Sequence, residues 1–157
     1  MIKFSLKRIL PYSNKQMYNI VIDIKKYPEF LPWCISAEEY GCNKKIFKAE
    51  LEIGFNLIKE SFMSEITPLY PYGIISKAIS GPFKILKNEW KFRETTNNTC
   101  EVELNIEFQF KSIILDNLIG KVFEYSSRKM INAFEDRAKQ LYEKEKKHYS
   151  YIFFSRS

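Results

Sequence analysis

Few residues of this chain are of the kinds that carry out acid–base, nucleophilic or metal chemistry. The 157 residues include one histidine, His148, and three cysteines, Cys34, Cys42 and Cys100, which form no CxxC pair. Histidine-based catalysis, Ser-His-Asp triads and histidine-rich metal sites are therefore excluded unless His148 takes part, and we expect no role for it in its polar tail. No glycines stand as GxG, which excludes a loop that cradles phosphate.

The polar residues of most interest are those expected inside an apolar interior. Asn88 and Ser64 share the strand parity of inward apolar residues, and Ser126 lies in the apolar stripe of a helix. Buried polar groups need hydrogen-bond partners, so these three are candidates to bind a ligand carbonyl or ordered water. Glu60 shares the parity of Phe62 and is the one ionisable exception, unless a β-bulge turns it outward. The set is suited to binding rather than to catalysis.

Alternation of apolar and polar residues predicts that strands position most of these groups. From 101 to 110 every second residue is apolar, which is typical of a half-buried antiparallel strand. The same period predicts further strands at 2–10, 47–55, 58–67, about 73–80 and 83–94.

Helical segments lie on both sides of the strand-rich region. Ser13 is expected to cap a short helix that ends at about Ile24. A second, very short apolar segment at 27–34, which contains two prolines, is expected to form the second of two short helices after the first strand. After Lys111 the apolar period changes to 3.6 residues, which predicts one long helix from about 112 to 144. Its apolar stripe includes Leu118, Val122, Ser126 and Met130.

Strands segregated from helices indicate an α+β fold. We expect a curved antiparallel sheet of about six or seven strands whose apolar face is covered by the long helix. One helix cannot fill the concavity of a strongly bent sheet, so an elongated apolar cavity of at least several hundred Å³ should remain between them.

Four segments resemble a known family. These are Tyr27–Cys34 (YPEFLPWC), Gly81–Phe92 (GPFKILKNEWKF), Phe108–Ser112 (FQFKS) and Met130–Arg137 (MINAFEDR). They are similar to the coenzyme Q-binding proteins of the START-like (helix-grip) superfamily, which also contains polyketide cyclases and dehydrases. Bacterial members are often called ribosome association toxins. The resemblance covers about residues 2–142. We expect a ligand-binding domain at 1–142 and a basic-aromatic tail at 143–157.

The resemblance implies a helix-grip fold and a non-catalytic carrier that holds a polyprenyl quinone such as ubiquinone, or a similar lipid, and supports respiration. The quinone would be a bound ligand, and no cofactor or metal is expected. Residues 30–33 are either a lid over the tunnel or a packed plug. The predicted tunnel lining comprises Phe30, Leu31, Trp33, Leu51, Ile53, Phe55, Phe62, Ser64, Leu86, Asn88, Trp90, Leu104, Ile106, Phe108, Leu118, Val122, Ser126 and Met130.

Two other functions remain open at this stage. A ribosome-associated toxin would bind the large subunit and block subunit association, and would need a basic surface that faces RNA. A polyketide cyclase-like enzyme would need an acid–base pair in the pocket, whereas the inward faces are nearly free of ionisable residues. Cys34 and Cys100 are expected to be small apolar fillers.

Charge and composition bear on location. The net charge is +6, of which the residues from Lys139 onward contribute half. An odd number of cysteines favours reduced thiols in the cytoplasm, and no apolar run is long enough to span a bilayer. The tail has the composition of an interfacial anchor, which predicts peripheral contact with the inner membrane; the alternative is a frayed tail or an extra strand. The predicted membrane contacts are Lys144, Lys146, Lys147, Tyr149, Tyr151, Phe153 and Phe154.

Overall fold

The computed structural model describes residues 1–41, 45–55, 57–96 and 98–143. Seven strands form one antiparallel sheet in the order β1-β7-β6-β5-β4-β3-β2. The predicted α+β class and the curved sheet are confirmed. The strands are β1 (Ile2–Leu10), β2 (Cys34–Tyr40), β3 (Phe47–Phe55), β4 (Ile58–Leu69), β5 (Gly73–Ser80), β6 (Phe83–Glu94) and β7 (Cys100–Phe110).

The strands largely follow the predicted alternation. In β7 each apolar residue is buried and each intervening polar residue is partly exposed. β2 was not predicted as a strand, because its sequence ISAEEY lacks a regular apolar period. Irregular pairing occurs in β2, at Met63/Ser64 in β4 and at Phe83/Ile85 in β6. Bulges of this kind bend a strand, so they help to curve the sheet.

The first helix, α1 (Asn14–Ile22), begins as expected at Ser13. Ser13 Oγ accepts the Gln16 backbone N–H at 3.1 Å, and Gln16 Oε1 accepts the Ser13 N–H at 2.9 Å. This capping box satisfies two N–H groups that a helix end leaves free. A 3-10 turn (Ile24–Glu29) follows α1 where the second short helix is expected, and β2 begins at Cys34.

The prediction of one continuous helix from about 112 to 144 is wrong. The chain forms α2 (Ile113–Gly120) and α3 (Phe123–Ala138), followed by a π-helical turn (Lys139–Glu143). Val122 leaves helical geometry with φ −114° and ψ 2°. Gly120 lies at the break, and a Cβ there would come within 3.2 Å of Ile2 Cδ1. β1 therefore approaches the end of α2 closely, and a larger residue at 120 would have to displace the Ile2 side chain by a few tenths of an ångström.

Polar contacts attach α3 and the π-helical turn after it to the rest of the fold. Arg8 Nη1 lies 2.9 Å from Glu135 Oε2, which joins α3 to β1. Arg137 Nη2 lies 2.8 Å from Glu29 Oε2 in the 3-10 turn. The Tyr142 hydroxyl donates to the Gln16 carbonyl at 3.0 Å.

Candidate functional site

A cavity of about 210 Å³ lies between the concave face of the sheet and the helices α2 and α3. The predicted position is confirmed, but the predicted volume of several hundred Å³ is wrong. Ligand pockets usually have volumes of about 300–1,000 Å³, so this cavity lies below that range. It is smaller than expected because aromatic rings fill much of the concavity: Phe83 stacks on Phe110, and Phe108 stacks on Phe123 at 4.8 Å between centroids.

The structure brings most of the predicted lining residues together. Their side chains come from β3, β4, β6, β7, α3, the α2–α3 junction and the segment after the 3-10 turn. The predicted residues that line the cavity are Leu31, Trp33, Leu51, Ile53, Phe55, Phe62, Leu86, Asn88, Trp90, Ile106, Phe108, Val122, Ser126 and Met130.

Four predicted lining residues lie elsewhere. Leu118 is 56% exposed, because α2 turns Leu115 and Ile119 toward the core instead. Leu104 is completely buried in packed core. Ser64 is also buried, but between its register partners Ala49 and Ala78.

The fourth, Phe30, packs away from the cavity. Its ring meets Tyr27 and Phe134 edge-on, with the Arg137 guanidinium 5.3 Å from its centroid. Leu31 is buried and Trp33 is partly buried. Leu31 and Trp33 also line the cavity, and the choice between a lid and a plug stays a prediction.

The sequence analysis missed several lining residues. Phe110 continues the inward parity of β7, so strand alternation could have identified it, whereas Phe83 breaks the parity of β6 and faces inward because of the irregular pairing at Phe83/Ile85. Ile119 and Phe123 belong to the apolar stripe of the predicted helix, but only the helix break determines which of its residues face the cavity. The other lining residues that were missed are Tyr27, Cys34, Gly54, Ile58, Ser127 and Phe134.

One buried polar atom in the cavity wall has no partner. Asn88 Oδ1 is inaccessible to solvent and makes no hydrogen bond within the described residues. An unsatisfied buried polar group costs about 1–3 kcal/mol, so this amide is positioned to bind a polar group on a ligand. The Ser126 and Ser127 side chains line the same cavity from α3.

Glu60 also lines the cavity. It pairs with Ile53 in a regular stretch of the β3–β4 ladder, so no bulge turns it outward. In the part of the chain described here, no cation lies within ion-pair distance of its carboxylate.

The other two ionisable groups of the cavity wall are held in their neutral forms. Burial raises the pKa of the Cys34 thiol to about 11, and its Sγ lies 3.6 Å from the Ser36 carbonyl. Burial also raises the pKa of Tyr27 well above its usual range, and the Tyr27 hydroxyl donates to the Val21 carbonyl. A thiol with such a pKa is a poor nucleophile at neutral pH.

The cavity opens toward the end of the molecule that carries α2 and the β3–β4 hairpin. Its lining residues Phe55, Ile58 and Val122 are partly exposed there, whereas Phe62 and Trp90 are buried. Among the described residues, no group of three or more His, Cys, Asp or Glu side chains could hold a metal ion. No helix in the described ranges is long and apolar enough to cross a membrane.

Comparison with known proteins identifies the family. Residues 10–135 match the family described as polyketide cyclase/dehydrase and lipid transport. The chain belongs to that family. The resemblance to START-like proteins is confirmed by the fold as well. The START superfamily protein from Mycobacterium smegmatis superposes with a TM-score of 0.76 over 88% of this chain and 98% of that one, at 15% identity, which shows the fold alone.

Two relatives within the family have different names. The ribosome association toxin of Rickettsia prowazekii is 41% identical over 145 residues, which cover 90% of this chain and 99% of the toxin. A mitochondrial coenzyme Q-binding protein homologue from Xenopus laevis is 32% identical over 145 residues. This chain spans 59% of the length of that relative. Neither name describes an enzyme, and the two names correspond to the carrier and ribosome alternatives of the sequence analysis.

The basic-aromatic tail lies outside the described residues. All seven predicted membrane contacts, Lys144 to Phe154, belong to it, as does His148. Its role as an anchor and the division of the chain at residue 142 therefore stay predictions.

Proposed function

We propose that this chain binds an isoprenoid quinone, or a lipid with a similar carbonyl-bearing head, and acts as a non-catalytic carrier for respiration. The observation that supports the proposal is the unpartnered Asn88 side chain in an otherwise apolar cavity wall. An amide can donate to a quinone carbonyl through its NH₂ group or accept from a quinol hydroxyl through its oxygen. The second of these bonds satisfies Asn88 Oδ1, the acceptor that has no partner within the described residues.

The size of the cavity limits how much of such a ligand is enclosed. About 210 Å³ is below the range of pockets for drug-sized molecules, so the ring system occupies the cavity and the apolar tail leaves through its open end. Phe55, Ile58 and Val122 then contact the first part of the tail. A carrier of this design binds the head specifically and tolerates different tail lengths.

The residues of the cavity favour binding over catalysis. A cyclase-like reaction needs a proton donor and acceptor at the substrate. Among the described lining residues, the thiol and the phenol are held neutral, and Glu60 stands without a second acid–base group. We therefore propose that the chain is not an enzyme.

Fluorescence offers a direct test, because both tryptophans of the chain, Trp33 and Trp90, line the cavity. Titration with a short-chain ubiquinone in detergent should quench their emission in a saturable manner. Asn88→Leu should weaken the binding about 10-fold, consistent with the loss of one hydrogen bond to a desolvated partner. The matched control, Asn105→Leu, alters an asparagine that is bonded to Ser5 and Glu103 on the sheet and should bind like wild type. Unsaturable quenching, or equal affinity of all three proteins, would contradict the proposal.

A second candidate function rests on the relative from Rickettsia prowazekii, a ribosome association toxin that matches along 99% of its length. In this alternative the chain binds the large ribosomal subunit. Many lysines and arginines on the sheet are already matched by glutamates: Lys3 pairs with Glu107, and Arg93 with Glu101. Such pairs leave little net charge to attract RNA. Salt-dependent co-sedimentation with purified large subunits, unchanged in Asn88→Leu, would support this function over the carrier.

A further inference from the structure

Exposed apolar side chains neighbour, in sequence, the residues at the opening of the cavity. We call them the α2 rim: Leu57, between the lining residues Phe55 and Ile58, and Ile113, Ile114 and Leu118 on α2, the helix that carries the lining residue Ile119. Their exposed fractions are 101%, 78%, 73% and 56%. α2 contains no buried residue, which is unusual for a helix composed mainly of Ile and Leu. A cluster of exposed apolar residues marks a surface that contacts a partner or a membrane.

Basic side chains flank the α2 rim. Lys111 and Lys121 lie just before and just after α2, and Lys59 follows Leu57 by two positions. All three are exposed, and none forms an ion pair within the described residues, whereas Lys7 and Lys91 on the sheet pair with Glu103 and Glu89. None of these three lysines is therefore neutralised by an ion pair within the described residues.

The acidic groups of this end form no ion pair with these lysines. Asp116 on α2 accepts the Phe110 backbone N–H at 3.0 Å. Glu124 pairs with Arg128 at 3.1 Å. Glu60 lines the cavity instead of the outer surface.

We propose that the α2 rim docks on the surface of an anionic lipid bilayer, with Leu57, Ile114 and Leu118 inserted between headgroups and the three lysines against lipid phosphates. Exposed apolar residues flanked by lysines are the composition that binds such interfaces, and each lysine near an anionic surface adds to the attraction. RNA would match the lysines but not the aliphatic side chains, because RNA-binding surfaces stack bases on aromatic rings.

Docking of this kind places the opening of the cavity against the acyl layer. This consequence rests on the proposed function, since it gives a lipid ligand a path between bilayer and cavity without crossing water. The docking itself depends only on the surface of the protein.

The test is co-sedimentation of the full chain with phosphatidylcholine vesicles, with and without phosphatidylglycerol. Wild type should bind the anionic vesicles. Lys111→Glu/Lys121→Glu should weaken that binding at least about 30-fold, and Ile114→Ser/Leu118→Ser at least about 10-fold. The control for charge is Lys48→Glu/Lys77→Glu, which changes the net charge by the same amount at exposed lysines on β3 and β5. The control for apolar surface is Ile9→Ser/Ile79→Ser, which changes exposed isoleucines on β1 and β5. Both controls should bind like wild type, and every protein keeps its C-terminal tail.

Failure of the docking and failure of the proposed function are distinguishable. The docking proposal would be overturned if wild type did not bind anionic vesicles, or if the rim variants bound them as well as the controls do. Quinone titration in detergent would still test the cavity separately. Two further outcomes would also overturn the docking proposal. In the first, large ribosomal subunits bind more weakly to Lys111→Glu/Lys121→Glu but normally to Ile114→Ser/Leu118→Ser. In the second, wild type is a dimer in sedimentation velocity that the Ile114→Ser/Leu118→Ser change converts to monomers without changing vesicle binding.

Discussion

The two ends of the interior are built differently. At the end beneath α1, Met17, Val21, Phe92, Cys100 and Leu104 are the largest fully buried side chains of the described residues, and α3 is attached there by ion pairs. At the end beneath α2, the helix contributes no buried residue, and a cavity of about 210 Å³ remains. The first end, the packed end, holds the fold together, and the second, the hollow end, is available for a ligand.

The contrast shows how one apolar surface can serve two purposes. The same sheet face continues from one end to the other, with the same inward parity in β6 and β7. The difference lies in what covers it. α1 packs directly on β5, β6 and β7, whereas the break at residues 121 and 122 leaves the cover incomplete over the hollow end. Stability therefore depends mostly on the packed end and binding on the hollow end.

The largest expected effect compares two leucines of neighbouring strands. Leu104→Ala, at the packed end, should lower the free energy of unfolding by about 3 kcal/mol, because it opens a new void in close-packed core. Leu86→Ala removes a side chain that already faces the cavity, so its cost should be no more than about 1 kcal/mol. Urea denaturation monitored by circular dichroism measures both. Equal losses would mean that the cavity end is as tightly packed as the rest.

A second pair tests where the hollow end begins. Val122→Glu places a carboxylate in the cavity wall, where burial without a partner is costly. The change should lower the free energy of unfolding by about 1–2 kcal/mol. It should also abolish the saturable quenching of tryptophan fluorescence by quinone in detergent. Leu118→Glu, one turn earlier but on the exposed face of α2, should change stability by less than about 0.5 kcal/mol and leave the titration unchanged. Loss of quinone binding in Leu118→Glu would show that the Leu118 side chain faces the cavity.

A third pair compares an unsatisfied asparagine with a satisfied one. Asn88→Leu should raise the free energy of unfolding by about 1 kcal/mol, because it removes a buried polar atom that lacks a partner. Asn105→Leu should lower it by about 1 kcal/mol, since it breaks the 2.6 Å bond from Ser5 and the 2.9 Å bond to Glu103. Thermal melts of both variants give the signs. A destabilised Asn88→Leu would mean that the amide already has a partner in the free protein.

The smallest effect concerns the thiols at the two ends. Burial raises the pKa of both Cys34 and Cys100 to about 11, so at pH about 8 only about one in a thousand is a thiolate. In a Cys42→Ser background both thiols should react slowly with a disulfide reagent. Below that pKa, each increase of one pH unit should raise the reaction rate about tenfold. Cys34 lines the cavity and should react several-fold faster than the fully buried Cys100. Equal rates would show that the two ends open together.

Much of the fold was predictable because alternation in a strand is a local property. The apolar residues of β7 and the inward position of Asn88 follow from parity within one strand, and the Ser13 cap follows from four consecutive residues. The strand residues predicted to line the cavity were identified in the same way. β2 was missed because an edge strand with a polar sequence has no such pattern.

The sequence by itself determined which strand residues face inward, that histidine chemistry is scarce, and which family the chain resembles. Only the tertiary structure decided that the C-terminal helix breaks at residues 121 and 122, that Leu118 faces solvent while Ile119 faces the cavity, and that aromatic rings reduce the space to about 210 Å³. The physical reason is that helix phase and cavity volume depend on contacts between distant segments. The approach of Ile2 to Gly120 and the stacking of Phe108 on Phe123 cannot be read from the period of either segment.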